Sequence, residues 1–138
     1  MQTITQTMLQ EHGKIRSMLM ELERISDKQQ LKKQFNKFKW TLEKHFFVEE
    51  KVIFSIYNDE ENRNNLDTVL KEHKDMILLI QKAEDALDEG YLELLDLKTI
   101  LECHAIFETD ILYPKLDAEL DQEQRSLILD RASEIIRE

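Results

Sequence analysis

At 138 residues with 29 acidic against 19 basic side chains, the chain carries a formal net charge of −10, a surface that repels nucleic acid and anionic lipid. Two glycines, one proline and one cysteine exclude a loop-rich or disulfide-stapled architecture and favour long helices around one core, in a single domain covering 1–138. No apolar run reaches the length of a membrane span, and the opening "MQTITQTMLQ" lacks the basic start and apolar middle of a signal peptide. The expectation is a soluble, acidic, cytoplasmic protein with no nucleic-acid or membrane partner.

Apolar residues recur at alternating steps of three and four in four segments, the period of an amphipathic helix. The first holds Met8, His12, Ile15, Leu19 and Leu22, and "SDK" at 26–28 ends it. The second holds Leu31, Phe35, Phe38, Leu42, His45, Glu49, Val52 and Ile56, and closes at the polar run "NDEENRNN", 58–65. The third carries Leu66, Leu70, His73, Ile77, Ile80 and Leu87, and stops near Gly90. The fourth carries Leu94, Leu97, Leu101, His104, Glu108 and Ile111. Its expected end is Tyr113-Pro114, because proline disfavours helical geometry in the residue before it. A shorter helix follows over about 121–137, with Asp121 as N-cap and Leu127, Ile128, Ile135 and Ile136 on its apolar side. Short connections make neighbours antiparallel. The predicted fold is all-α: an up-down-up-down four-helix bundle over about 3–114 with an additional C-terminal helix.

Histidine interrupts every apolar stripe once. The chain has four histidines, and random placement on stripes taking two positions in seven would put all four there with a chance of roughly 0.007. Counted from the connections, their heights agree to within roughly 3–5 Å along the helix axis. The pattern is also written twice. "HFFVEEKVIF" from His45 and "HAIFETDILY" from His104 share His, three residues, Glu, and His12 and His73 precede them at nearly the same offset.

Glu49 and Glu108, at i+4 from a histidine, lie on the same face one turn further along. That face is otherwise apolar, and an unpaired buried carboxylate costs several kcal/mol unless it finds a proton or a cation. No lysine or arginine shares these stripes at that level. Six inward donors exceed what one tetrahedral zinc takes and suit two divalent ions with shared bridges, leaving room for a hydroxide or oxide. The candidate metal ligands are therefore His12, His45, Glu49, His73, His104 and Glu108.

Over His12 to Pro114 the sequence resembles the hemerythrin-like, or HHE cation-binding, family, whose second- and fourth-helix signatures are similar to "HFFVEEKVIF" and "HAIFETDILYP". The resemblance implies a carboxylate-bridged pair of irons with an oxo or hydroxo bridge. His12 and His45 would hold one iron, His73 and His104 the other, and Glu49 and Glu108 would bridge them. Oxygen-carrying hemerythrins have a further histidine where this chain has Ile77, and an aspartate where it has Thr109. The four-His, two-Glu set is closer to the family's di-iron proteins of nitrosative and oxidative stress repair, without their cysteine-containing N-terminal domain.

The implied function is a non-haem di-iron protein that binds O2, peroxide or nitric oxide, with redox activity toward them left open. The alternatives are an iron-sensing or iron-storing module, or a stress-response repair protein. A ferritin-like di-iron bundle would show ExxH pairs, which this chain lacks. Glu11 and Glu72 are read as solvated helix residues, either of which can orient an imidazole. Trp40, Phe47 and Phe54 form a second stripe, read as packing beneath the last helix in preference to a homodimer face. Monomer and homodimer both stay open. Cys103 points off its stripe, and Tyr113 has either a packing or a hydrogen-bonding role near the site.

Overall fold

The computed structural model describes residues 3–58 and 60–136. The outer ends of the expected 1–138 domain, position 59 in the second connection and residue 137 of the last helix lie outside the described residues. Helix α1 spans Ile4–Leu22. Helix α2 begins at Lys28–Phe47, widens to a π-helix over Val48–Ile53, and closes as α-helix at Phe54–Ile56. A 3₁₀ turn, Glu60–Asn62, leads into α3, Arg63–Glu89. Helix α4 repeats the α2 pattern: Leu95–Phe107, a π-helix over Glu108–Leu112, then Tyr113–Glu119. Helix α5 is Gln122–Ile136. This is the expected all-helical bundle with an additional C-terminal helix.

Local chemistry sets the ends. Thr3 and Gln6 form a reciprocal capping box at the start of α1, each side chain accepting from the other's backbone N–H at 3.0 Å. Asp27 caps α2 by accepting from Gln30 N. Asp121 caps α5, accepting from Gln124 N at 2.7 Å, as its sequence position suggests. Gly90 ends α3 at φ 103°, a left-handed cap that side-chain-bearing residues rarely adopt.

The apolar residues form two clusters with a polar layer between them. One, near the α1–α2 turn, joins Ile15, Leu19, Phe35, Phe38, Leu42, Met76, Ile80 and Leu97. The other, beneath α5, joins Ile4, Met8, Val52, Ile53, Leu66, Val69, Leu112, Leu116 and Ile128. In every long helix the buried apolar residues preceding the histidine belong to one cluster and those following it to the other, except that Phe46, next to His45, stays with the cluster of Phe35, Phe38 and Leu42. The sense alternates from helix to helix, as up-down-up-down topology demands.

Several stripe positions differ from expectation, and the π-helices explain part of the shift. A π turn adds one residue to the helical ladder, so side chains beyond it rotate by about 100° relative to an uninterrupted 3.6-residue repeat. Hence Ile111 is 48 % exposed while Leu112 is buried, and Ile53 joins Val52 in the core. Pro114 does not end α4. It falls in the first turn after the π segment, where the helix has already been re-started and a missing N–H is tolerated. In α3 the inward residue is Met76, and Ile77 points to solvent. Only part of the second stripe packs beneath α5: Phe54 is buried in that cluster, but Trp40 and Phe47 are about half exposed. In α5, Ile128 and Ala132 are buried, Ile135 and Ile136 half-buried, and Leu127 exposed.

One long-range contact ties the start of the chain to the end of α4. Asp117 accepts from the backbone N–H of Ile4 at 2.9 Å and of Thr5 at 3.0 Å, and from the Thr5 hydroxyl at 2.6 Å. It thereby satisfies donors at the α1 N-terminus that no helical carbonyl reaches. Asp117→Ala is expected to destabilise the fold by about 1–2 kcal/mol, the usual worth of such a cap, with Asp117→Asn milder. Urea unfolding of the three chains checks this.

Candidate metal centre

All six sequence-selected residues meet in the layer between the two clusters. Glu49 and Glu108 have no solvent exposure, and His45, His73 and His104 are all but buried. His12 is the most accessible, with its side chain 8 % exposed. The imidazole rings pair across the bundle, His12 with His45 and His73 with His104, each pair with centroids 5.0 Å apart.

The carboxylates lie between these pairs. Glu108 Oε1 is 3.1 Å from His12 Nε2 and 3.9 Å from His45 Nε2, while its Oε2 is 3.2 Å from His104 Nε2. One carboxylate thus spans both pairs. Glu49 does so through a single oxygen: Oε1 lies 3.1 Å from His45 Nε2 and 3.3 Å from His73 Nε2. Its other oxygen, Oε2, accepts from the Tyr113 hydroxyl at 3.2 Å. That hydroxyl also lies 3.2 Å from His12 Nε2, so Tyr113 has a hydrogen-bonding role at the centre. The donors form two groups of metal-ligating size, Glu49–His73–His104–Glu108 and His12–His45–Glu108, which share Glu108.

Sequence reasoning missed part of the surrounding shell. His73 Nδ1 donates to Glu50 Oε2 and His104 Nδ1 to Glu72 Oε1, both at 2.9 Å. Glu72, only a quarter exposed, holds the His104 ring: the solvated reading is corrected, and the imidazole-orienting role its position left open is the one the geometry has. Glu11 departs from that reading too, being buried at 7 % exposure. Glu50 carried no signal in its own helix, because its partner belongs to α3. Phe46 stacks on His73 at 4.1 Å and fixes the ring plane. Cys103 is exposed, as its position off the stripe suggests.

The hydrogen bonds test whether a cation fits. An ionised carboxylate only accepts, so Glu50 and Glu72 hold the proton of His73 and His104 on Nδ1. In the neutral ring Nε2 then carries a lone pair, and for both residues this atom faces a carboxylate oxygen at 3.2–3.3 Å. Two lone pairs at that separation repel unless a positive charge lies between them. Both Nε2 atoms, together with Glu49 Oε1 and Glu108 Oε2, are buried without a hydrogen-bond partner, an arrangement native interiors avoid unless an ion completes it. The donors present fit divalent metal.

The titration behaviour agrees. Burial, reinforced by neighbouring His45, lowers the His12 pKa to about 4, and burial also lowers that of His104. Both rings are neutral at pH 7, with a nitrogen lone pair available to a cation. Burial acts to raise the Glu49 carboxyl, but a proton on the His45 or His73 imidazole, charged and donating, outweighs it and keeps the group ionised; a cation in place of that proton would do the same. Burial and the adjacent Glu49 push the Tyr113 hydroxyl well up, so it stays a donor.

A cavity of about 260 Å³ reaches the centre from the surface between α1 and α4. Its lining runs from exposed Arg16, Met20 and Glu102, past Ile15, Leu19 and Leu101, to His12, His45 and His104. His73 does not line it.

Residues 3–116 match the family model of the hemerythrin HHE cation-binding domain. The chain belongs to the hemerythrin HHE cation-binding family. Comparison with curated proteins and with solved structures gave no match. Cation binding is thus the family's property, and the His/Glu layer is where this member has the donors for it. Among the described residues no helix is long and apolar enough to cross a membrane.

The lowered histidine pKa values have a consequence for the metal-free protein. With His12 at about 4 in the folded state against 6.5 unfolded, the unfolded chain binds more protons between these values. Stability is therefore full above 6.5 and falls as pH drops toward 4. The depressed Glu49 carboxyl acts in the same direction below about 4.5. Thermal unfolding of the chelator-treated protein is expected to show a melting temperature that declines steadily over this window. A flat profile would mean that these imidazoles are not held neutral.

Proposed function

We propose that this protein holds two irons in the His/Glu layer and binds O2 or a related small oxidant, peroxide or nitric oxide, there. His12 and His45 serve one metal, His73 and His104 the other, and Glu49 and Glu108 bridge. The observation that carries this is the division of Glu108, one oxygen toward His12 and the other toward His104. A single-ion site has no use for a buried carboxylate stretched between two histidine pairs. Nitrogen and carboxylate oxygen donors together suit iron better than thiolate-seeking metals.

Bound iron would supply the electrons for O2, peroxide or nitric oxide chemistry. The chain supplies the rest. Two histidines and shared carboxylates leave each metal short of six protein donors, so a small molecule has a place to bind. The apolar cavity offers an entry route sized beyond a diatomic gas, opening beside His12 and His45. Tyr113, protonated and fully buried, presents a hydroxyl within the donor layer and anchors the free oxygen of Glu49. The apolar clusters above and below keep bulk water from the carboxylates, which strengthens their attraction to a cation.

Metal analysis of the purified chain is expected to give about two irons per chain, as six shared donors require; one zinc, or none, overturns the proposal. Glu49→Ala is expected to lose most of the metal while keeping its helical circular dichroism. Cycling the reduced, loaded protein between argon and air then separates functions. A reversible change in the visible spectrum indicates carriage, and rapid irreversible oxidation indicates redox turnover. Loss of the fold on chelation would favour iron sensing, since metal binding is then coupled to folding.

A further inference from the structure

The two metal positions are built differently, and the differences all run one way. Both carboxylates reach both histidine pairs, Glu49 Oε1 lying 3.1 Å from His45 Nε2 and 3.3 Å from His73 Nε2, so the difference lies behind the rings and in their access to solvent. Behind His73 and His104 stand Glu50 and Glu72, each accepting an Nδ1–H at 2.9 Å. Behind His12 and His45 stands nothing of the kind: their Nδ1 atoms are buried without a hydrogen-bond partner. The surface cavity reaches His12, His45 and His104 but not His73, and His12 is the least buried of the four.

Each difference bears on affinity. A carboxylate on Nδ1 fixes the tautomer that directs the Nε2 lone pair at the metal, and it makes that nitrogen a better donor. A ring without such a partner must choose its tautomer when the metal arrives. His12 Nε2 lies within hydrogen-bond distance of Glu108 Oε1, 3.1 Å, a contact that metal has to displace. An accessible position exchanges its ion more readily.

We propose that the dinuclear centre is unequal, with Glu50 and Glu72 as positioning residues that make the His73–His104 side the tightly held metal position. The His12–His45 side, reached through the cavity, is the exchangeable one. This rests on the dinuclear reading above and goes beyond it by assigning an order of loading and a route of loss.

Anaerobic titration of the metal-free full chain with Co²⁺, followed by visible absorption and calorimetry, tests the order. Two steps are expected, separated by at least ~10-fold in Kd, the lower end of what outer carboxylates contribute. His12→Ala should remove the weaker step and leave the tighter one. Glu50→Ala and Glu72→Ala should each weaken the tighter step by ~10–100-fold. Glu72→Gln, which can still accept from His104 Nδ1, should recover part of that loss, a rescue that a merely structural role would not produce. Circular dichroism of each metal-free variant separates lost ligation from lost fold, and the Gln variant carries the test if the Ala variant unfolds. Uptake of two equivalent ions would overturn the inequality while leaving the dinuclear site intact, as would an unchanged tight step in both the Glu50 and Glu72 variants. Uptake of one ion by the wild type, or none, would remove the dinuclear reading itself.

Discussion

Two carboxylates with no access to water are the constraint around which this bundle is organised. Glu49 and Glu108 occupy positions that the helical repeat reserves for apolar side chains. Each ion so placed carries a penalty of several kcal/mol after relaxation. Four imidazoles surround them, and burial keeps His12 and His104 from charging at neutral pH. The layer therefore gathers acceptors and lone pairs with little positive charge of its own. A cation is the natural complement, and the apolar clusters on either side make the need sharper by lowering the local dielectric.

The backbone has been fitted to this layer in the same way twice. Each of the two buried glutamates falls at the beginning of a π segment, Glu49 in Val48–Ile53 and Glu108 in Glu108–Leu112. An extra residue in the ladder lets the His-to-Glu spacing obey α-helical geometry while the next turn re-aims the chain. In α2 this brings Val52 and Ile53 together into the lower cluster. In α4 it turns Tyr113 inward so that its hydroxyl meets Glu49. π-bulges concentrate at functional sites because they cost helical stability and persist where geometry repays them.

This relation also defines what the sequence could and could not reveal. The four helices, their antiparallel order and the six donors followed from period, breakers and the repeated HxxxE, since these depend on spacing within a single helix. Asp121 as a cap followed from local chemistry. Errors began where a residue's environment is decided by another helix or by a change in helical pitch. Ile111 and Ile77 obeyed the simple period yet face water, and Pro114 read as a terminus because the widened turn before it leaves no local signature. Glu50 meets an imidazole on a neighbouring helix, so no pattern in its own segment distinguishes it from a surface glutamate, and Glu72 was legible only as one of two glutamates able to orient a ring.

Trp40 shows how such placement governs what an observer would see. It is the chain's sole tryptophan, and it sits 55 % exposed with the Lys44 ammonium 5.8 Å from its ring. An indole already in water changes its surroundings little when the helices come apart, so its emission is a poor reporter of global melting. Tyr113 and Phe46, sealed in or against the donor layer, are the aromatic groups whose optical signals track the integrity of the centre.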